Sequence, residues 1–251
     1  MLAIIILLLS GTSFATDLFV SSQHISINRQ NETGWQHELQ VKQDLSRKVY
    51  AGAGATYIER FSFFEKRYGA FVGYKPSDRL SVEARWYRGE NDNQILPRDQ
   101  KILSAYYAAA PGLTPYVVYR DYRYSVTRVH LASLGMEIEK FPNIILIPQV
   151  MMGKATFSTP AGTENIYNYG LRAMYYIEKK FTTFVFGFKG REASQGIVGQ
   201  SNVVVDTLSG GLGGSYFFRD DLRAELVFDH TNYKQLKNQF LTTTLNLYWT
   251  F

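Results

Sequence analysis

The chain has 251 residues, no cysteine, a net charge of +5 and an aromatic share of 15%. Its basic residues form no block, which argues against a nucleic-acid surface, and the absence of cysteine suits an exported protein. The longest internal apolar run, residues 144–152, is broken by Pro148 and Gln149 and falls short of the roughly 20 residues a membrane-spanning helix needs. An all-β protein remains, either a soluble sandwich or a barrel in a membrane.

In chain order, residues 2–9 are almost wholly aliphatic, and residues 10–15 are mostly small and polar, ending in Ser13-Phe14-Ala15. This predicts a signal peptide over residues 1–15, cleaved after Ala15, and a mature chain of 16–251 read as one domain. No Lys or Arg precedes the apolar run, as a misplaced start codon would produce.

Short polar turns then recur at residues 44–48, 75–79, 110–114, 140–143, 178–180 and 219–221. Longer polar stretches alternate with them, at 60–66, 89–100, 159–165, 190–202 and 232–239. Short turns alternating with longer loops is the rhythm of an up-and-down membrane barrel. Each interval holds two strand-like runs, which predicts an all-β, antiparallel up-and-down barrel of about 14 strands, with 12 or 16 as alternatives. The runs near Leu18 and Thr127 are the least sharply bounded.

The strands alternate with period two. Trp35, Leu39 and Val41 oppose Gln36, Glu38, Gln40 and Lys42. Val82, Ala84 and Trp86 oppose Glu83, Arg85 and Tyr87. Leu222, Ala224, Leu226 and Phe228 oppose Arg223, Glu225 and Asp229. Phe184, Phe186 and Phe188 oppose Thr183, Gly187 and Lys189. Arg or Lys on a lipid face at mid-membrane costs roughly 2–4 kcal/mol, so the charged sides belong inside. The predicted pore lining is Glu38, Lys42, Glu83, Arg85, Arg172, Lys189, Arg191, Arg223, Glu225 and Asp229, with Asp121 and Arg123 as further candidates. This set leans slightly basic, which favours anions or acidic sugars. A structural ion-pair network is the competing reading. Gly52, Gly54 and the glycines of 210–214 sit inside strand patterns and predict either curvature or clearance.

No catalytic, metal or cofactor constellation is visible. The four histidines are His24, His37, His130 and His230. His130 and Ser133 are an odd step apart and point to opposite faces, and neither HxH nor HExxH occurs. A lipid- or lipopolysaccharide-acting hydrolase is an alternative that requires a serine brought to His230 or His130 from another strand. A closed structural or partner-binding barrel is a third reading.

The final run alternates to its end: Leu241, Thr243, Leu245, Leu247, Trp249 and Phe251 against Thr242, Thr244, Asn246, Tyr248 and Thr250. A last strand of this kind resembles those of bacterial outer-membrane barrels, where it is a recognition signal for the insertion machinery; here Trp249 and Phe251 would carry it. From about residue 34 to 251 the chain resembles the YaiO-type outer-membrane barrels. The likeness rests on Leu96-Pro97-Arg98-Asp99-Gln100, on Tyr119-Arg120-Asp121-Tyr122 followed by Ala132-Ser133-Leu134-Gly135, and on the aromatic end. It implies an outer-membrane protein; with the charged inner face, the chain is expected to form a passage for small polar or saccharide-like solutes beside lipopolysaccharide. Such barrels resemble the export port of polysaccharide secretion proteins, in which helical tetratricopeptide repeats precede the barrel. This chain has no such repeats, so an export role would need a periplasmic helical-repeat partner. The resemblance brings no catalytic residues.

Overall fold

The structure is a computed structural model that describes residues 15–28, 32–60, 63–90, 96–158, 161–178, 180–194, 203–234 and 238–251. Of the expected signal peptide, residues 1–14 lie outside the described residues. The strands are β1 (Thr16–Ile27), β2 (Glu32–Asp44), β3 (Val49–Arg60), β4 (Phe63–Ser77), β5 (Leu80–Gly89), β6 (Asp99–Tyr107) and β7 (Leu113–Arg123). They continue as β8 (Thr127–Phe141), β9 (Ile144–Ser158), β10 (Ala161–Ile177), β11 (Phe181–Ser194), β12 (Val203–Arg219), β13 (Leu222–Tyr233) and β14 (Asn238–Thr250). Each strand pairs with its chain neighbours and β1 pairs with β14, so the sheet closes on itself as a 14-stranded antiparallel barrel. That is the strand number the turn rhythm predicts.

All six predicted short turns fall at one end of the barrel, together with both ends of the sheet. Their chemistry is local. In the β8–β9 turn Pro142 fixes its own φ and Asn143 takes the left-handed conformation, φ 59°, which its short polar side chain tolerates. Register shifts in β4–β5, β8–β9 and β12–β13 also lie at this turn end.

The opposite, loop end corrects an expectation. The described residues of 60–66, 159–165 and 232–239 are nearly all strand: β3 runs to Arg60 and β4 starts at Phe63, β10 starts at Ala161, and β13 and β14 stop only at Tyr233 and Asn238. The ladder continues past the apolar belt because backbone pairing does not require an apolar face. Strands therefore reach 17 residues, beyond the roughly 9–11 needed to cross a bilayer. Above the belt the outward positions become polar, as in the paired row Lys101, Asp121, His130, Lys154 and Asn165.

Burial is inverted relative to a soluble protein. The outside exposes Trp86, Leu103, Val185, Leu212 and Leu245, while the packed apolar cluster of Val129, Leu131, Ala155, Phe157 and Ile166 lies on the inner wall of β8–β10. At the seam the register runs from Asp17 opposite Thr250 to Ile27 opposite Phe240, and Thr16 and Phe251 exchange backbone hydrogen bonds of 2.9 Å. Trp249 and Phe251 face outward there, with ring centroids 5.0 Å apart.

Candidate functional site: the barrel lumen

One wall of the lumen is polar. Arg85 on β5 donates to Gln40 on β2 at 3.3 Å, across two intervening strands, so both side chains point inward. Arg85 also grips Glu83 through two nitrogens, at 2.5 and 3.1 Å, and Tyr50 on β3 donates to the same carboxylate at 3.1 Å. Gln40 in turn donates to Glu38. Toward the turn end, Lys42 meets Asp17 at 2.5 Å, and Asp17 accepts from Thr250 at 2.7 Å. Opposite charges thus alternate along the wall, and each holds its neighbour in place.

The other wall is aromatic. Phe184, Phe186 and Phe188 of β11 face the lumen, and each ring lies against a glycine on an adjacent strand: Gly213, Gly211 and Gly170 respectively. A Cβ at any of these glycines would enter the ring, so these glycines serve as ring seats. The same device recurs on the polar side, where Phe71 lies on Gly52, Tyr87 on Gly69, Tyr50 on Gly73 and Tyr116 on Gly135. Arginines then cap several of the seated rings. Arg172 sits 3.9 Å from the centroid of Phe184, Arg85 4.7 Å from Phe71 and Arg67 5.0 Å from Tyr87. Arg223 is held between Tyr248, at 4.0 Å, and Phe217, at 5.5 Å. A row of glycine, ring and guanidinium lets a long cation lie flat along the wall.

At the loop end, residues of β1–β4, β6–β7 and β13–β14 line an open chamber of about 410 Å³. The described end of the β5–β6 connection turns into it: Leu96 is buried, and its backbone N–H donates to Glu65 at 2.6 Å. Arg67 donates to Gln100 and, at 3.1 Å, to Thr56. Arg60 lies 5.8 Å from the Phe240 centroid. Burial pushes the Tyr124 hydroxyl, in the β7–β8 connection, above its ordinary pKa, so it remains a neutral hydrogen-bonding group at physiological pH.

Of the predicted lining residues, Glu38, Lys42, Glu83, Arg85, Arg172, Arg223, Glu225 and Asp229 stand at inward register positions. Lys189 and Arg191 do not. They follow Val185 and Gly187 on the outer face of β11, beside outward Tyr169 and Leu208 for Lys189 and near Glu164 at the rim for Arg191, 3.3 Å away. The cause is the seating of the three Phe rings on inward glycines, which turns the alternate residues out. The long Lys189 stem can then lift its charge toward the membrane surface. Without these two, the set holds four acids (Glu38, Glu83, Glu225, Asp229) and four bases (Lys42, Arg85, Arg172, Arg223), so its basic lean disappears. Asp121 and Arg123 also face outward, Asp121 paired with Arg128 at 2.9 Å.

Other inward charges escaped the sequence reading: Arg60, Glu65, Arg67, Arg120, Glu137 and Glu192. Arg60 and Glu65 fell in the stretch expected to be a loop. Arg120, 2.6 Å from Ser133, alternates with Asp121 on a strand whose two faces are equally mixed. The four histidines all stand at outward positions. His130 contacts Tyr119 at 3.0 Å and Asp121 at 3.4 Å, while Ser133 lies fully buried on the opposite face.

A closed antiparallel sheet, apolar outside and charged within, satisfies every strand edge internally, as a structure surrounded by lipid must. It is the architecture of a transmembrane β-barrel. No protein-family model and no curated protein matches the chain. Solved structures of like fold include the CymD monoaromatic hydrocarbon channel, at 12% identity and a TM-score of 0.61 over 95% of this chain and 88% of that one. A bacterial polysaccharide outer membrane secretin matches at 11% identity and a TM-score of 0.58, over 94% of this chain and 98% of that one. The Acinetobacter baumannii outer membrane protein Omp33 matches at 13% and 0.54, over 96% of this chain and all of that one. The likeness is one of fold: this chain is built as outer-membrane barrels are.

Proposed function

We propose that the chain is an outer-membrane passage for small polar solutes, saccharides among them. The carrying observation is the lumen itself, with charges and amides inside a wall whose outside is an apolar belt. The fold shared with channels supports this reading, and the secretin among the neighbours accords with the YaiO-type resemblance and a link to polysaccharide export. In that setting the barrel lies beside lipopolysaccharide, the insertion machinery reads the terminal strand at Trp249 and Phe251, and a periplasmic helical-repeat partner would supply what an export port needs. No covalent chemistry is assigned.

The test is single-channel recording of refolded residues 16–251 in a planar bilayer. Stable ohmic steps are the expected outcome. A folded but silent barrel would remove the passage reading and leave a closed structural barrel.

A further inference from the structure

Above the apolar belt, the outer face of β6–β9 carries a surplus of cations. Lys101, Arg123, Arg128 and Lys154 stand at outward register positions and are exposed; the carboxylates among them are Asp99 and Asp121. Arg128 takes both oxygens of Asp121, at 3.1 and 2.9 Å, and His130 lies 3.4 Å from the same group. Asp99 accepts from the Trp86 indole N–H at 2.7 Å and lies 4.0 Å from Lys101. Among the described residues, neither Arg123 nor Lys154 reaches a carboxylate. Arg123 also stands directly opposite Arg128, and like charges so placed weaken a sheet. The β7–β8 connection spans only residues 124–126, too short to fold down over this cluster.

Further down, the outer face turns into an apolar groove of about 680 Å³. Leu134 and Val150, opposite each other in the ladder, line it together with Leu171 and Leu208. Its floor is bare at Gly187, whose partner across the ladder is a second glycine, Gly210. Leu134 follows His130 by four residues on β8, and Val150 precedes Lys154 by four on β9, so both share a face with the cations about 13 Å away. A free anion would use the cations and leave the groove empty, and an uncharged lipid would do the reverse. An amphiphile with an anionic head uses both, and guanidinium forks with an ammonium match the oxygens of a phosphate.

We infer that the outer face of β7–β12 is a seat for one phosphorylated, acylated lipid of the outer leaflet, its phosphate on Arg123, Arg128 and Lys154 and an acyl chain along the groove over Gly187. The inference rests on the barrel standing in an outer membrane with its loops outward, and it gives the lipopolysaccharide beside it a defined place.

The experiment is native mass spectrometry of the folded barrel in detergent, titrated with lipid A, with dephosphorylated lipid A and with inorganic phosphate as a competitor. Heat-dependent gel mobility checks that each variant is folded. Lipid A should bind at least about tenfold more tightly than its dephosphorylated form, and Arg123→Gln combined with Lys154→Gln should remove at least about that factor. Gly187→Leu, where a Cβ meets only the Ser209 carbonyl at 3.9 Å, fills the groove without changing charge and should lower affinity at least about threefold. Arg219→Gln, at the turn end, should change nothing. Equal binding of the dephosphorylated lipid, an unchanged double variant, or an equal loss in Arg219→Gln overturns the seat. An unchanged Gly187→Leu barrel overturns the acyl groove, and displacement of lipid A by equimolar inorganic phosphate overturns the lipid as occupant. A barrel that inserts into phospholipid vesicles but takes up no lipid A loses the seat alone, whereas a chain that fails to insert loses the membrane reading with it.

Discussion

The polar wall of β2–β6 and the aromatic wall of β8–β12 line the same lumen by different means. On the polar wall the charged and amide side chains are held by hydrogen bonds, Arg85 by itself touching both Glu83 and Gln40. On the aromatic wall the side chains are held by shape, each Phe ring of β11 resting on a glycine opposite. Hydrogen-bonded charges can be reversed at modest structural cost if partners rearrange. A ring seat leaves no such freedom, because the space is already occupied.

That contrast can be broken most sharply at a glycine. Gly213→Leu should force Phe184 off its seat and lower stability by about 1–3 kcal/mol, read as an earlier urea midpoint for the folded barrel. Gly162→Leu, where a Cβ would meet nothing, should stay within about 0.5 kcal/mol of the parent. Equal losses at both positions would mean that the rings are not seated as described.

On the polar wall, Arg85→Glu places a new carboxylate beside Glu38 and Glu83. A reversal there changes the local potential by on the order of 1 kcal/mol, or about fivefold in the cation-to-anion permeability ratio. The readout is the reversal potential in a salt gradient, with the shift toward cations. An unchanged reversal potential would take Arg85 out of the conducting path. The smallest effect belongs to Lys189→Glu. Lying outside the wall, it should leave the reversal potential where it was; a shift as large as that of Arg85→Glu would return Lys189 to the lumen.

The two walls were not equally legible in the sequence. β13 carries its charged residues, Arg223, Glu225 and Asp229, on one face, and β5 does so up to Arg88 at its loop end, so their alternation points inward at Glu83, Arg85, Arg223 and Glu225. β11 carries apolar residues on both faces, Val185 on one and Phe184 and Phe186 on the other. A rule that sends charge inward then picks Lys189, wrongly. What decides the face is Gly211 and Gly213 on β12 and Gly170 on β10, and a pairing register is not written within one strand. The glycines were visible as clearance inside strands, but not the rings they were clearing. The loop-end chamber was hidden for a related reason: Arg60 and Glu65 lie where polarity suggested a loop, and only the continuing ladder turns them inward.

The seam between β1 and β14 has a consequence for how the molecule comes into being. Asp17 and Thr250, hydrogen-bonded at 2.7 Å, are 233 positions apart, so the contact that completes the ring joins nearly the two extremes of the sheet. Until it forms, any partly assembled sheet has two bare edges whose N–H and C=O groups find no partner in lipid, at several kcal/mol each. Contacts of such long range also form slowly. The last step of assembly is therefore closure from an open sheet that is sticky along both margins, and a chain of this kind depends on being sheltered from its own copies until that step is done.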